Sequence, residues 1–197
     1  MRLIPRHITR SLWLACMALC LRGSDCLSQT MALPAGTQFP LFAKILSYDR
    51  QLNQRANGAI VVGILYQSRF HLSLSASEKV LSAIQDGPVR TISGIPVRAV
   101  LIDVNLSENM EDAIAASGAN VLYVTPLRSI DIDDIRAITM RLHLVSMTGV
   151  PEYVGEGIAL GIDVSDERPL ILINVRAAAE EGADLSSQVL KVAKIIQ

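Results

Sequence analysis

AIVVGILY, residues 59–66, is the stretch whose reading decides the fold. It is apolar throughout, and four of its residues are β-branched (Ile60, Val61, Val62, Ile64). An apolar run without alternation fits a strand covered on both faces, as in the middle of a parallel sheet. It is too short for a buried helix of about 10–12 residues.

Working outward, the same theme recurs. QSRFHLSL (67–74) reads as a loop. SASEKVLSAIQDG (75–87) reads as a helix capped by Ser75 or Ser77 and stopped at Gly87. IPVRAVLIDV (95–104) is a second strand, nearer an edge because Arg98 and Asp103 flank it. SENMEDAIAASGA (107–119) is a helix whose Glu108, Glu111 and Asp112 suit the positive end of its dipole. NVLYVTP (120–126) is a strand, SIDIDDIRAITMRLH (129–143) a helix capped by Ser129 or Asp131, and LVSMTGV (144–150) a strand. Strand–helix alternation of this kind predicts a parallel sheet with right-handed crossovers.

The pattern changes towards the C-terminus. GIALGIDVSDERPLILINV (157–175) predicts two strands joined as a hairpin at residues 165–168. Two helices are expected after it, at 176–181 and 186–196, with Gly182 as the stop between them. Ser186 or Ser187 would cap the last one, and Val189, Val192, Ala193 and Ile196 would form its buried stripe. Upstream, TQFPLFAKILSYDRQL (37–52) predicts a helix burying Phe42, Ile45 and Leu46, with a break at Gly58. The expected fold class is therefore α/β: three layers, a mostly parallel sheet with βα crossovers, a C-terminal β-hairpin and a terminal helix.

The first 35 residues read differently. Arg2, Arg6 and Arg10 precede an apolar run over residues 11–21, and a polar stretch follows. That is the order of a secretory signal, and the run is shorter than the roughly 20 residues that span a bilayer. Cleavage is expected after Ala32 or Ala35, which gives a signal peptide at 1–35, one domain at 36–197 and a periplasmic location. Loss of four arginines and one acid takes the net charge from −1 to about −4. Cys16, Cys20 and Cys26 go with the signal, so no disulfide would hold the exported chain. There is no run of Lys or Arg for a nucleic-acid backbone, and nucleic-acid binding is not expected.

Chemistry-bearing motifs are sparse. GEGIALG (155–161) has Leu160 where a dinucleotide fingerprint needs Gly or Ala, and a strand follows where a helix should. DIDD (131–134) lacks the Gly and Glu of a calcium loop, having Arg136 and Leu142 at those places. No GxSxG elbow or phosphate loop is present. No catalytic residue, cofactor or metal is expected. By position, the loop after the first strand is the best place for a ligand or partner, since crevices form at the carboxyl edge of open parallel sheets. Tyr66, Ser68, Arg69 and His71 lie there, and Thr125 and Arg128 follow the third strand. Tyr66, Ser68 and Arg69 could hold a small anion or a peptide backbone, and with residues 125–128 they would line the crevice of a small-ligand receptor. His143, at a helix end, would favour a partly positive imidazole.

The segment INVRAAAEEGADLSSQVLKVAKII (173–196) resembles the C-terminal signature of the YfiR family, through Asn174, Ala177, Ala178, Gly182, Ser186, Ser187, Leu190 and Ala193. The resemblance extends to the strands around 60–66, 95–100 and 120–126 and to the helix near 41–52, nearly the whole expected mature chain. It implies a small periplasmic α/β protein without catalysis. Better-known members repress a membrane-bound diguanylate cyclase by binding its periplasmic sensor, lowering cyclic-di-GMP signalling and biofilm formation. The cysteine pairs that make some members redox-sensitive have no counterpart here. Asn174, Gly182, Ser186 and Ser187 are expected to be structural, with Asn174 satisfying backbone groups at the strand end.

The leading expectation is thus a non-catalytic regulatory protein that binds the periplasmic domain of a membrane signalling protein, a cyclase or sensor kinase. A homodimer is among the assemblies such a role allows. The alternative is a periplasmic small-ligand binding protein of one-lobe binding-protein type.

Overall fold

The computed structural model describes residues 30–196. The expected signal region before Thr30, with the three cysteines, lies outside the described residues. An opening helix α1 (Ala35–Leu46) and a short α2 (Leu52–Ala56) precede the first strand, β1 (Ile60–Tyr66). Then come α3 (His71–Gln85), β2 (Thr91–Ile92), β3 (Ile95–Asp103), α4 (Met110–Ala116), β4 (Val121–Val124), α5 (Ile132–Leu142) and β5 (Val145–Thr148). The chain closes with α6 (Glu152–Gly155), β6 (Leu160–Ser165), β7 (Arg168–Asn174), α7 (Val175–Glu180), α8 (Ser187–Leu190) and β8 (Lys194–Ile196).

The eight strands form one sheet in the order β2-β3-β1-β4-β5-β6-β7-β8. β3, β1, β4, β5 and β6 run parallel, and β7 turns back antiparallel to β6. The expected three-layer α/β architecture with its hairpin is what the chain adopts. β1 lies at the centre, and alternate residues serve two cores. Ile60, Val62 and Ile64 pack with Phe42, Val80 and Ile84 of α1 and α3. Leu65 joins Leu122, Ile114 and Ile135, beneath α4 and α5. Gly63 is required on that second face, because a Cβ there would come within 2.8 Å of Ile102 and 2.9 Å of Ala119.

Three local expectations are corrected. The stretch after β1 is not a loop to residue 74: α3 already starts at His71, and Phe70 precedes it without any side-chain cap. α4 begins at Met110, where Asn109 accepts from the Glu111 and Asp112 amides at 2.9 and 3.4 Å. Most telling, the terminal helix expected over 186–196 is only the four residues of α8. β8 then pairs parallel with β7, Leu172↔Lys194 to Asn174↔Ile196. The β-branched Ile195 and Ile196 go to an open sheet edge, where their backbone groups find partners that a short exposed helix could not match.

Candidate functional site

In a sheet of this order, the chain leaves β1 towards β3 on one side and returns to β4 on the other. The carboxyl ends of β1 and β4 are therefore the topological switch point, where ligand crevices form in open α/β sheets. Tyr66, Ser68, Arg69 and His71 come to this edge from β1, and Thr125 and Arg128 from β4.

Within the edge the groups are engaged with one another. The Gln67 amide N–H donates to the Ser73 hydroxyl at 2.9 Å, and the Ser73 and Thr125 hydroxyls are 2.7 Å apart. Thr125 donates to the Leu65 carbonyl at 2.9 Å, so Ser73 must be the donor to Thr125. Both hydroxyls are fully buried. The side chain of Gln67 spans the switch point: its Nε2 donates to the Arg128 carbonyl at 3.0 Å, and its Oε1 accepts the Arg128 N–H at 2.7 Å. The Arg128 guanidinium lies over the Phe70 ring, 4.8 Å from its centroid.

On the other flank, Asp103 Oδ1 accepts the amides of Ser68 (3.1 Å) and Asn105 (3.0 Å), and Asn105 accepts the Arg69 amide at 3.1 Å. Burial alone would raise the Asp103 carboxyl. Hydrogen bonds from Ser68 and Asn105, with the Arg69 charge, outweigh it and hold the group below the ordinary carboxylate range. Burial, and then the Asp103 charge, push the Tyr66 phenol up. Thr125, Ser68 and Gln67 thus fasten the edge together. Gln67, the residue that closes it, has no signal in the sequence, because its partner lies 61 residues away.

A cavity of about 960 Å³ opens beside this closed switch point, on the face carrying α1 and α3. One wall is the segment leading into α1, with Met31, Leu33 and Pro34; the other is α3, with Leu72, Ala76 and Ala83. Pro126 bounds it at the sheet edge, while His71, Glu78 and Lys79 also border it. The leading segment is strapped across the carboxyl ends of β4 and β5. The Ala32 amide donates to the Gly149 carbonyl at 3.0 Å, the Tyr123 hydroxyl touches Met31 Sδ at 3.4 Å, and Gln38 Nε2 donates to the Leu33 carbonyl. The buried Tyr123 hydroxyl donates to Gln38 Oε1 at 2.7 Å, locking the strap to the sheet. Residues 30–35, placed in the signal by the sequence reading, are in this structure part of the cavity and of α1.

The residues on which the C-terminal resemblance rests lie away from the cavity. Asn174 caps α7, accepting the Ala177 amide at 3.0 Å and donating to the Val154 carbonyl at 3.1 Å. Gly182 takes a left-handed φ of 86° after that helix. Ser186 precedes α8 without a side-chain cap bond, and Ser187 is exposed. His143 ends α5, at the amino end of the strands, and so lies across the sheet from His71 at the carboxyl end. Among the described residues no group of three or more His, Cys, Asp or Glu is placed to hold a metal.

No protein-family model matches the chain, and no curated protein is similar to it. Solved structures are similar in fold. One is an ABC domain in complex with L-Trp from Streptococcus pneumonia, with 12% identity, a TM-score of 0.58, and coverage of 83% of this chain and 62% of that one. Another is a conserved domain protein from Vibrio cholerae O1 biovar eltor str. n16961, with 15% identity, a TM-score of 0.56, and coverage of 83% and 60%. The chain spans about three fifths of the length of these structures, and at such identities the likeness is one of fold.

Proposed function

We propose that this chain is a non-catalytic small-ligand binding protein of one-lobe binding-protein type, and that the ligand sits in the cavity between the strap and α3. The observation that carries the reading is the cavity itself. Its volume of about 960 Å³ is in the range of small-molecule sites, and it opens beside the switch point that the Gln67–Arg128 clasp closes. Its walls are mostly apolar, with the charges of Glu78 and Lys79 at hand, a setting for a molecule with an apolar body and a polar group. The streptococcal structure of similar fold holds an amino acid with a flat apolar ring, which supports the same size class of ligand here.

A regulatory role through docking to the periplasmic domain of a membrane signalling protein rests on the YfiR resemblance, and we place it second. A thermal-shift screen of the chain against amino acids, nucleosides and small aromatic acids separates the two. A ligand at a hundred times its Kd stabilises by about 2.7 kcal/mol, several degrees for a domain of this size. Such a shift from a small molecule alone is the expected result. No shift with any compound, together with capture by a cyclase sensor domain, would favour docking.

A further inference from the structure

Away from the cavity, the most unusual ionisable group is Glu181, whose side chain is fully enclosed, with an exposure of 0%. Its Oε2 accepts the Ser146 amide at 2.7 Å. Its Oε1 lies 2.6 Å from the hydroxyls of both Ser146 and Thr139. Ser146 Oγ also accepts the Ala159 amide at 2.9 Å, so its own hydrogen is free for Glu181. Thr139 is 3.0 Å from the Arg136 carbonyl as well, and has one hydrogen for two acceptors. A protonated carboxyl resolves this: its proton goes to the Thr139 oxygen, and the Thr139 hydrogen to Arg136.

Charge balance leads to the same state. The charge acting on Glu181 from across the junction is Arg55, which already pairs with the buried carboxylate of Asp49 and donates to the Gly182 carbonyl at 2.7 Å. Asp49 and Arg55 cancel, so an ionised Glu181 would leave a buried negative charge uncompensated. The other charged or titratable groups around it are otherwise occupied. Glu180 turns to Arg136 and Arg176, and Asp184 pairs with Arg50. The His143 ring lies against Gly182, and β5 contributes no charge.

Glu181 begins the segment that ties the two ends of the fold together. The Asp184 amide donates to Asp49 Oδ1 at 2.9 Å, the Arg50 amide to the Asp184 carbonyl at 3.0 Å, and the Ser186 amide to the Tyr48 carbonyl at 3.0 Å. Beyond it lies β8, which covers the edge of β7. We propose that Glu181 is a proton-operated latch: protonated, it fastens residues 181–196 to the sheet, and on losing the proton it loosens them and bares the β7 edge. Burial lifts the carboxyl to about 7 against the pull of the Ser146 and Thr139 bonds and the Arg55 charge, which puts the transition near neutral pH.

Amide hydrogen exchange on the whole chain at pH 6 and pH 8, corrected for intrinsic rates, tests this. Protection over 183–196 should fall about tenfold relative to β1 in the parent, the tenfold that one pH unit above the midpoint gives. In Glu181→Gln it should stay unchanged. Equal relative protection at both pH values in the parent, or the same loss in Glu181→Gln, would overturn the proposal. Should that variant fail to fold, the Glu181 carboxyl carbon can be titrated by NMR in the parent. A midpoint near neutrality supports the latch, and one in the ordinary carboxylate range refutes it.

Discussion

Gln67 and Arg128 clasp each other across the switch point, the Gln67 side-chain amide meeting both backbone groups of Arg128 at 3.0 and 2.7 Å. The contact joins the loops after β1 and β4, and it shuts the place where a ligand crevice would otherwise open. Gln67→Ala removes both bonds and leaves Arg128 without these partners. Both bonds are exposed and water can replace them, so the expected loss is about 0.5–1.5 kcal/mol in urea unfolding. An unchanged midpoint would mean that other contacts hold the two loops.

The strap should be sensitive at one glycine. A Cβ on Gly149 would come within 2.5 Å of Gln38 Oε1 and 2.7 Å of the Tyr123 hydroxyl. Gly149→Ala therefore forces apart the bond that locks the strap, in a site with no free space. Overpacking of this kind costs about 1–3 kcal/mol. Limited proteolysis should also cut the variant near residues 30–34 faster than the parent.

The hairpin between β6 and β7 turns through Asp166 and Glu167, with φ of 50° and 61°. Both are in the left-handed region, which a tight hairpin needs and glycine adopts without strain. Glu167→Gly is expected to stabilise the chain by roughly 1 kcal/mol, since it removes the left-handed penalty at an exposed position. Thermal melting reads this as a rise of a few degrees.

Stability should decline as pH rises from about 4.5 to about 7. Glu181 has its native value near 7 through burial, against an ordinary 4.5 when unfolded. Between those values the native chain holds a proton that the unfolded chain has released, so raising the pH favours unfolding. At about 1.4 kcal/mol per unit the contribution approaches roughly 3 kcal/mol, and it flattens above pH 7. Urea titrations at pH 5 and pH 8 should show it in the parent, and Glu181→Gln should lose that part of the slope.

Much of the fold is legible in the sequence because its signals are local. The apolar run of β1, the cap Asp131 and the carboxylates Asp133 and Asp134 that open α5 each state their structure within a few residues. What misleads is decided at long range. Val189, Val192, Ala193 and Ile196 have helical spacing, yet Lys194–Ile196 pairs with β7 because that edge is open. Phe70 and His71 carry no cap signal, so the start of α3 is set by packing against β1 and β3. Of the site, the edge position of Tyr66–His71 follows from topology, and the capping by Asn174 from its residue type. The cavity does not, because one wall comes from Met31 and Ala32, fastened to Tyr123 and Gly149 some ninety residues and more away.

The ligand cavity is the central claim, and blocking it is the most direct test. Ser75 lines it from α3 and is only part-buried, so Ser75→Trp sets an indole into the space with little cost to the core. Calorimetric titration of a screened ligand into the parent should give saturable binding, and Ser75→Trp, melting within about 2 °C of the parent, should bind it at least about tenfold more weakly, a loss of about 1.4 kcal/mol. Equal binding by both proteins would contradict the assignment of the site.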